Sequence, residues 1–173
     1  AAAAAADTAS PLHGIVDVQR SVIAGHSMGA TCAIRAGKRL AQGANPNVTI
    51  RLVVAQHPGV CGPLGPPPYA FTWLKSDLQT AVSAYPLVFT TATSDTAFGA
   101  GTATHELGCF NGANLTNRSG AAFVQFSAGA CAEDGMHPPW PDAGHDCPFK
   151  TSPEAPWVLT ALKLYAQQEA RRD

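Results

Sequence analysis

The chain has 173 residues, of which 46% are hydrophobic and only 13% charged, with a formal net charge of −1. That length suffices for one domain with a real core. The absence of a basic run or patch excludes nucleic acid as an expected partner, and no apolar stretch approaches the ~18–20 residues of a membrane span.

Ala1 to Ala6 is a polyalanine tract without the charged start and leucine-rich centre of a signal peptide. Residues 1–10 therefore read as a low-complexity lead-in and 11–173 as a single domain. Ser21 to Ala24 is a strand. It runs into Gly25-His26-Ser27-Met28-Gly29, a G-x-S-x-G sequence, and Met28 to Ala41 follows as a helix. Lys38 and Arg39 near the end of that helix suit its dipole, and Gly43 and Pro46 stop it. Ile50 to Ala55 is a near-continuous apolar run fit for burial on both faces of a sheet. A Gly/Pro-dense loop occupies His57 to Pro68. Ser76 is a candidate N-cap for a helix over Asp77 to Ala84. Pro86 to Thr91 and Ala121 to Phe126 are the third and fourth strands. A final helix starts after Pro153 or Pro156, with a 3.6-residue apolar stripe through Tyr165. Strands alternating with helices predict an α/β fold with a parallel sheet.

The five-residue pattern around Ser27 also fits a plain glycine turn. Its strand–turn–helix setting favours a nucleophile elbow, in which glycines two before and two after the serine remove Cβ atoms from a tight turn. Asp17-Val18-Gln19-Arg20 ahead of the strand, followed by Gly25-His26-Ser27-Met28-Gly29-Ala30, resembles the α/β-hydrolase superfamily. The similarity is to its dienelactone hydrolase, chlorophyllase and polyester-esterase branch. The resemblance implies a partial α/β-hydrolase fold: a mostly parallel sheet with flanking helices, beginning at the elbow strand. In the family four strands precede the elbow, and the chain has almost nothing there.

The resemblance further implies an acyl-transfer site, in the chain order Ser, acid, His. Ser27 is the nucleophile, and the Met28 N–H is one oxyanion donor. Asp95 lies just past the third strand, in a loop where the family has Gly-x-x-Asp and this chain has Ala92-Thr93-Ser94-Asp95. Asp95 as a mere turn residue is the alternative, with Glu106 and Asp134 as weaker substitutes. His145, in a Gly-His step before the last helix, is the preferred base, and His137 is the alternative base. His26 reads as a packing or hydrogen-bonding residue. His57 reads either as lining the pocket at the sheet edge or as a solvated loop histidine, and His105 carries no signal. The second oxyanion donor of the family has no match; His13-Gly14 lies too close to the elbow strand to supply it.

These residues predict a serine hydrolase of carboxylic esters, acting on a small-molecule or lipid ester without cofactor or metal. His137, His145, Asp146 and Cys147 match no standard zinc spacing. Two further readings use the same residues: a non-catalytic, truncated hydrolase-like fragment that needs an N-terminal half, and an acyltransferase. Tyr69, Phe71 and Trp73 could wall an acyl pocket or simply pack a loop. Five cysteines leave at least one without a partner in the chain. Cys32 is expected to be a buried thiol, and a Cys131–Cys147 bridge would pin the loop that carries His145. Sequons at Asn47, Asn114 and Asn117, with the loop cysteines, point to a secreted or luminal setting rather than the cytoplasm. The sequence leaves the oligomeric state open.

Overall fold

The computed structural model describes residues 7–11, 13–15, 17–58, 78–79, 85–93, 95, 104, 107–108, 110–111, 120–126 and 160. Four strands form one sheet: β1 (Ser21–His26), β2 (Ile50–Gln56), β3 (Leu87–Ala92) and β4 (Ala121–Phe126). They lie in chain order, and every neighbouring pair is parallel. The register runs Val22 opposite Leu52 to His26 opposite Gln56, then Val53 opposite Leu87, then Leu87 opposite Ala121. Their carboxyl ends therefore finish along a common edge.

The Asp17-x-x-Arg20 step has a local cause. The Asp17 carboxylate accepts the Gln19 N–H at 2.8 Å and caps a single 3-10 turn, Val18–Arg20. Arg20 lies 3.5 Å from the same carboxylate, but both groups are about half exposed, so the pair adds little stability. The turn is laced to the start of β2. The Thr49 N–H donates to the Val18 carbonyl at 2.9 Å, and the Gln19 amide donates to the Asn47 carbonyl at 2.9 Å. The entry to β1 is thereby fixed against its neighbour.

One helix, α1 (Met28–Ala41), follows β1 directly and packs on β1 and β2. Its composition favours helix at most positions. It ends as expected, with Gly43 in the left-handed region at φ +82° and its N–H bonded to the Leu40 carbonyl. Ala30, Thr31, Ala33, Ile34 and Gly37 form the buried face. Cys32 lies off that face and is exposed, so the expectation of a buried thiol there is wrong. The apolar stretch around it hid the 3.6-residue period that carries Cys32 to the solvent side.

Under α1 the core gathers Ala30, Ala33 and Ile34 with Val53, Leu78, Leu87 and Phe89. Phe89, Phe110 and Phe123 meet as a triangle of rings with centroids 5.4 to 6.2 Å apart. On the opposite sheet face, Leu52 and Val54 pack with Val88. β2 is thus buried on both sides, as its unbroken apolar run predicts. β1 alternates half-buried and exposed residues over most of its length. The expected helix over 77–84 is described only at Leu78 and Gln79, and the closing helix only at Thr160, all three helical.

Candidate active site

Ser27 bridges β1 and α1 with φ 54° and ψ −122°, a backbone conformation that non-glycine residues rarely adopt. Holding it costs on the order of 1–3 kcal/mol. The surrounding hydrogen bonds offset this. The Ser27 N–H donates to the Gln56 carbonyl at 2.9 Å, while the Ser27 carbonyl accepts from Ala30 and Thr31 at 3.0 and 3.2 Å. The serine is therefore pinned between the end of β2 and the first turn of α1. Its hydroxyl makes no capping bond to that helix. The Met28 N–H is one of those at a helix start that have no intrahelical partner, and the positive end of the helix dipole lies there.

The two motif glycines have different duties. A Cβ on Gly25 would overlap the Gly29 carbonyl and come within 2.7 Å of the Ala30 nitrogen, so the turn closes only without it. A Cβ on Gly29 would meet nothing within 4 Å. The expectation that both glycines prevent a collision holds for Gly25 and fails for Gly29. Gly29 sits on the exposed first turn of α1, and the crowding falls on the strand side.

Asp95 follows β3 in a tight turn. The Asp95 N–H bonds the Ala92 carbonyl at 3.0 Å, and the Thr93 N–H bonds the Phe126 carbonyl at 2.9 Å. These bonds bring the carboxylate back over the carboxyl edge of the sheet. It is buried, and its Oδ2 lies 2.7 Å from Nδ1 of His57. An ionised carboxylate only accepts, so with Asp95 ionised the proton of this bond sits on Nδ1.

His57 ends β2, in the left-handed region at φ 48°, and its N–H donates to the Thr90 carbonyl at 2.8 Å. It is 0% exposed, which rules out the solvated-loop reading. On its other side the His26 ring lies 5.7 Å away, tilted by 54°. His26 is accordingly a packing neighbour of His57. Sequence reasoning placed His57 at the sheet edge but missed its link to Asp95. The available signal was a polar residue directly after a largely buried parallel strand, and the Gly/Pro-rich stretch that follows masked it.

The structure thus brings Ser27, Met28, His57 and Asp95 to one edge. His137 and His145, the candidate bases, lie outside the described residues. So do His105, Glu106, Asp134 and Asp146, the aromatic residues Tyr69, Phe71 and Trp73, and Cys61, Cys109, Cys131 and Cys147. Among the described residues no three His, Cys, Asp or Glu side chains form a metal-binding group. Nor is any described helix long and apolar enough to cross a membrane.

No protein-family model matches the chain, and no curated protein matches it. Solved structures do. The carboxylesterase Cest-2923 of Lactobacillus plantarum WCFS1 superposes over 89% of this chain with a TM-score of 0.53 at 15% identity. The chain carries part of the α/β-hydrolase fold. It spans 60% of the length of that carboxylesterase. A chain assigned as a dienelactone hydrolase, from Klebsiella pneumoniae subsp. pneumoniae, is similar over 72% of this chain and 43% of its own, at 18% identity and a TM-score of 0.39.

Proposed function

We propose that this chain is a serine hydrolase of carboxylic esters. The observation that carries the reading is the strained conformation of Ser27 at a strand-to-helix turn, held by β2 and relieved of a Cβ at Gly25. Strain of this kind is a reason to look for chemistry, because a plain turn would relax it. A buried carboxylate at the same edge and the carboxylesterase among structures of this fold also support it.

In this reading the Ser27 hydroxyl attacks the ester carbonyl carbon while its proton passes to the imidazole of His145, with His137 as the alternative. Asp95 orients that imidazole. The Met28 N–H and the α1 dipole stabilise the developing oxyanion. Collapse breaks the ester C–O bond, and the alcohol leaves with the proton held by the histidine. Water then attacks the acyl-serine, gives a proton to the same histidine, and releases the acid with Ser27 restored. Substrates are small-molecule or lipid esters. Transfer to an acceptor other than water would use the same residues. A secreted or luminal setting belongs to the same reading, and the sequon residue Asn47 is exposed.

The test is hydrolysis of p-nitrophenyl esters of increasing acyl length. The reading expects a burst of nitrophenol equal to the concentration of Ser27, which Ser27→Ala abolishes. A folded chain that hydrolyses nothing, or a Ser27→Ala variant that keeps the burst, would sink it. Acceleration by added alcohols with ester formation would instead mark an acyltransferase.

A further inference from the structure

We infer that His57 is a positioning residue for Asp95. It holds the carboxylate at the angle from which Asp95 orients the catalytic histidine. The inference rests on the serine-hydrolase reading above.

A base in acyl transfer must touch the serine oxygen and then the leaving group, so it faces the cleft. His57 is 0% exposed, away from the water and leaving group that a base must meet, and we assign it a different role. Its contact is instead with Asp95, 38 residues away, through a 2.7 Å bond between two side chains that are both 0% exposed. A carboxylate removed from water in this way is costly unless charge-assisted hydrogen bonds replace the lost hydration. Nδ1–H of His57 supplies one. Fixing Oδ2 also stops rotation of the carboxylate about Cβ–Cγ, which fixes where Oδ1 points.

The backbone of His57 shows the same design. Its φ of 48° is uncommon for histidine, and its N–H is bonded to the Thr90 carbonyl at 2.8 Å. His57 is thus tied by its backbone to Thr90 of β3 and by its ring to Asp95 just beyond that strand. The His26 ring packs beside the imidazole at 5.7 Å. Two strained residues, Ser27 and His57, therefore end adjacent strands. One presents the nucleophile, and the other braces the acid.

Three changes separate this role from its rivals. His57→Gly removes the ring without adding strain at positive φ. His57→Asn restores a donor near the Nδ1 position and tolerates the left-handed backbone, but it cannot act as a base. Imidazole added to His57→Gly can refill the space beside Asp95. With ester hydrolysis as the readout, His57→Gly is expected to lose about 10²-fold in kcat with little change in KM. That is short of the ~10⁴-fold that follows loss of a triad's correctly oriented acid. His57→Asn and added imidazole should each recover most of the loss, and in an Asp95→Ala background His57→Gly should cost nothing more. Circular dichroism would confirm that each variant is folded. His57→Asn as inactive as His57→Gly, or an additive loss in the Asp95→Ala background, would overturn the inference and leave the hydrolase reading standing.

A second measurement does not depend on turnover. The Nδ1–H of His57 should give a slowly exchanging, downfield proton resonance in the wild type that Asp95→Asn removes. Its absence would overturn the inference. Its presence in a wild type that never forms an acyl-enzyme would overturn the hydrolase reading, and the positioning role with it.

Discussion

A Cβ at residue 25 has no room, whereas one at residue 29 points into open space. Gly25→Ala must push backbone against backbone, because the obstructing atoms are the Gly29 carbonyl and the Ala30 nitrogen. It is expected to destabilise the fold by at least about 3 kcal/mol, the upper end of ordinary overpacking. Gly29→Ala should be tolerated and, in a helix, should stabilise by up to about 1 kcal/mol. Urea melts of the two variants check this. Equal losses for both would mean that the turn at Ser27 is not closed as described. The pair also marks a limit of motif reading. G-x-S-x-G names two glycines, but only the geometry says which one the turn cannot spare. His57 shows the same limit from the other side. Its identity is plain in the sequence, while its burial and its bond to Asp95 depend on a contact across 38 residues. No local pattern encodes that contact.

Among the elements, the seam between α1 and the segment leading into β3 is sharply fitted. A Cβ on Gly37 would overlap the Tyr85 hydroxyl and come within 2.7 Å of its ring carbon Cζ. The same hydroxyl is buried and finds no hydrogen-bond partner among the described residues. Two opposite outcomes are expected. Gly37→Ala should lower the melting temperature, with a loss of about 1–3 kcal/mol from overpacking. Tyr85→Phe should leave stability unchanged or raise it, since it deletes an unsatisfied polar atom and keeps the ring. Burial also holds the Tyr85 phenol above its ordinary range. The unfolded chain therefore gives up that proton at about pH 10, before the folded chain does. The stability associated with the neutral phenol is complete below about pH 10 and declines as the pH rises beyond it. Tyr85→Phe should flatten that alkaline decline in melts between pH 8 and 11; an unchanged slope would contradict it. The elements themselves were readable beforehand. α1 starts and stops where its residues predict. The strands match to within two residues at either end, because uninterrupted apolar runs such as Leu52-Val53-Val54-Ala55 leave little choice in a parallel sheet.

For the whole molecule, the sequence order of strand, elbow, helix and strand, then acid after the third strand, is enough to anticipate a parallel sheet with Ser27 and Asp95 at one edge. The structure bears out the sheet and brings Asp95 to that edge. Which histidine serves as base was less legible. His137 and His145 both lie in the long segment after β4, where Gly and Pro break every hydrophobic period, and both fall outside the described residues. The chain spans 60% of the carboxylesterase whose fold it shares, and the central claim is that it assembles an activated serine. The most direct measurement is fluorophosphonate labelling of the intact chain, beside Ser27→Ala, His145→Ala and His137→Ala. The account predicts one label per chain, located on Ser27, absent from Ser27→Ala and abolished by His145→Ala. A folded wild-type chain that takes no label, or a Ser27→Ala variant that still does, would contradict it.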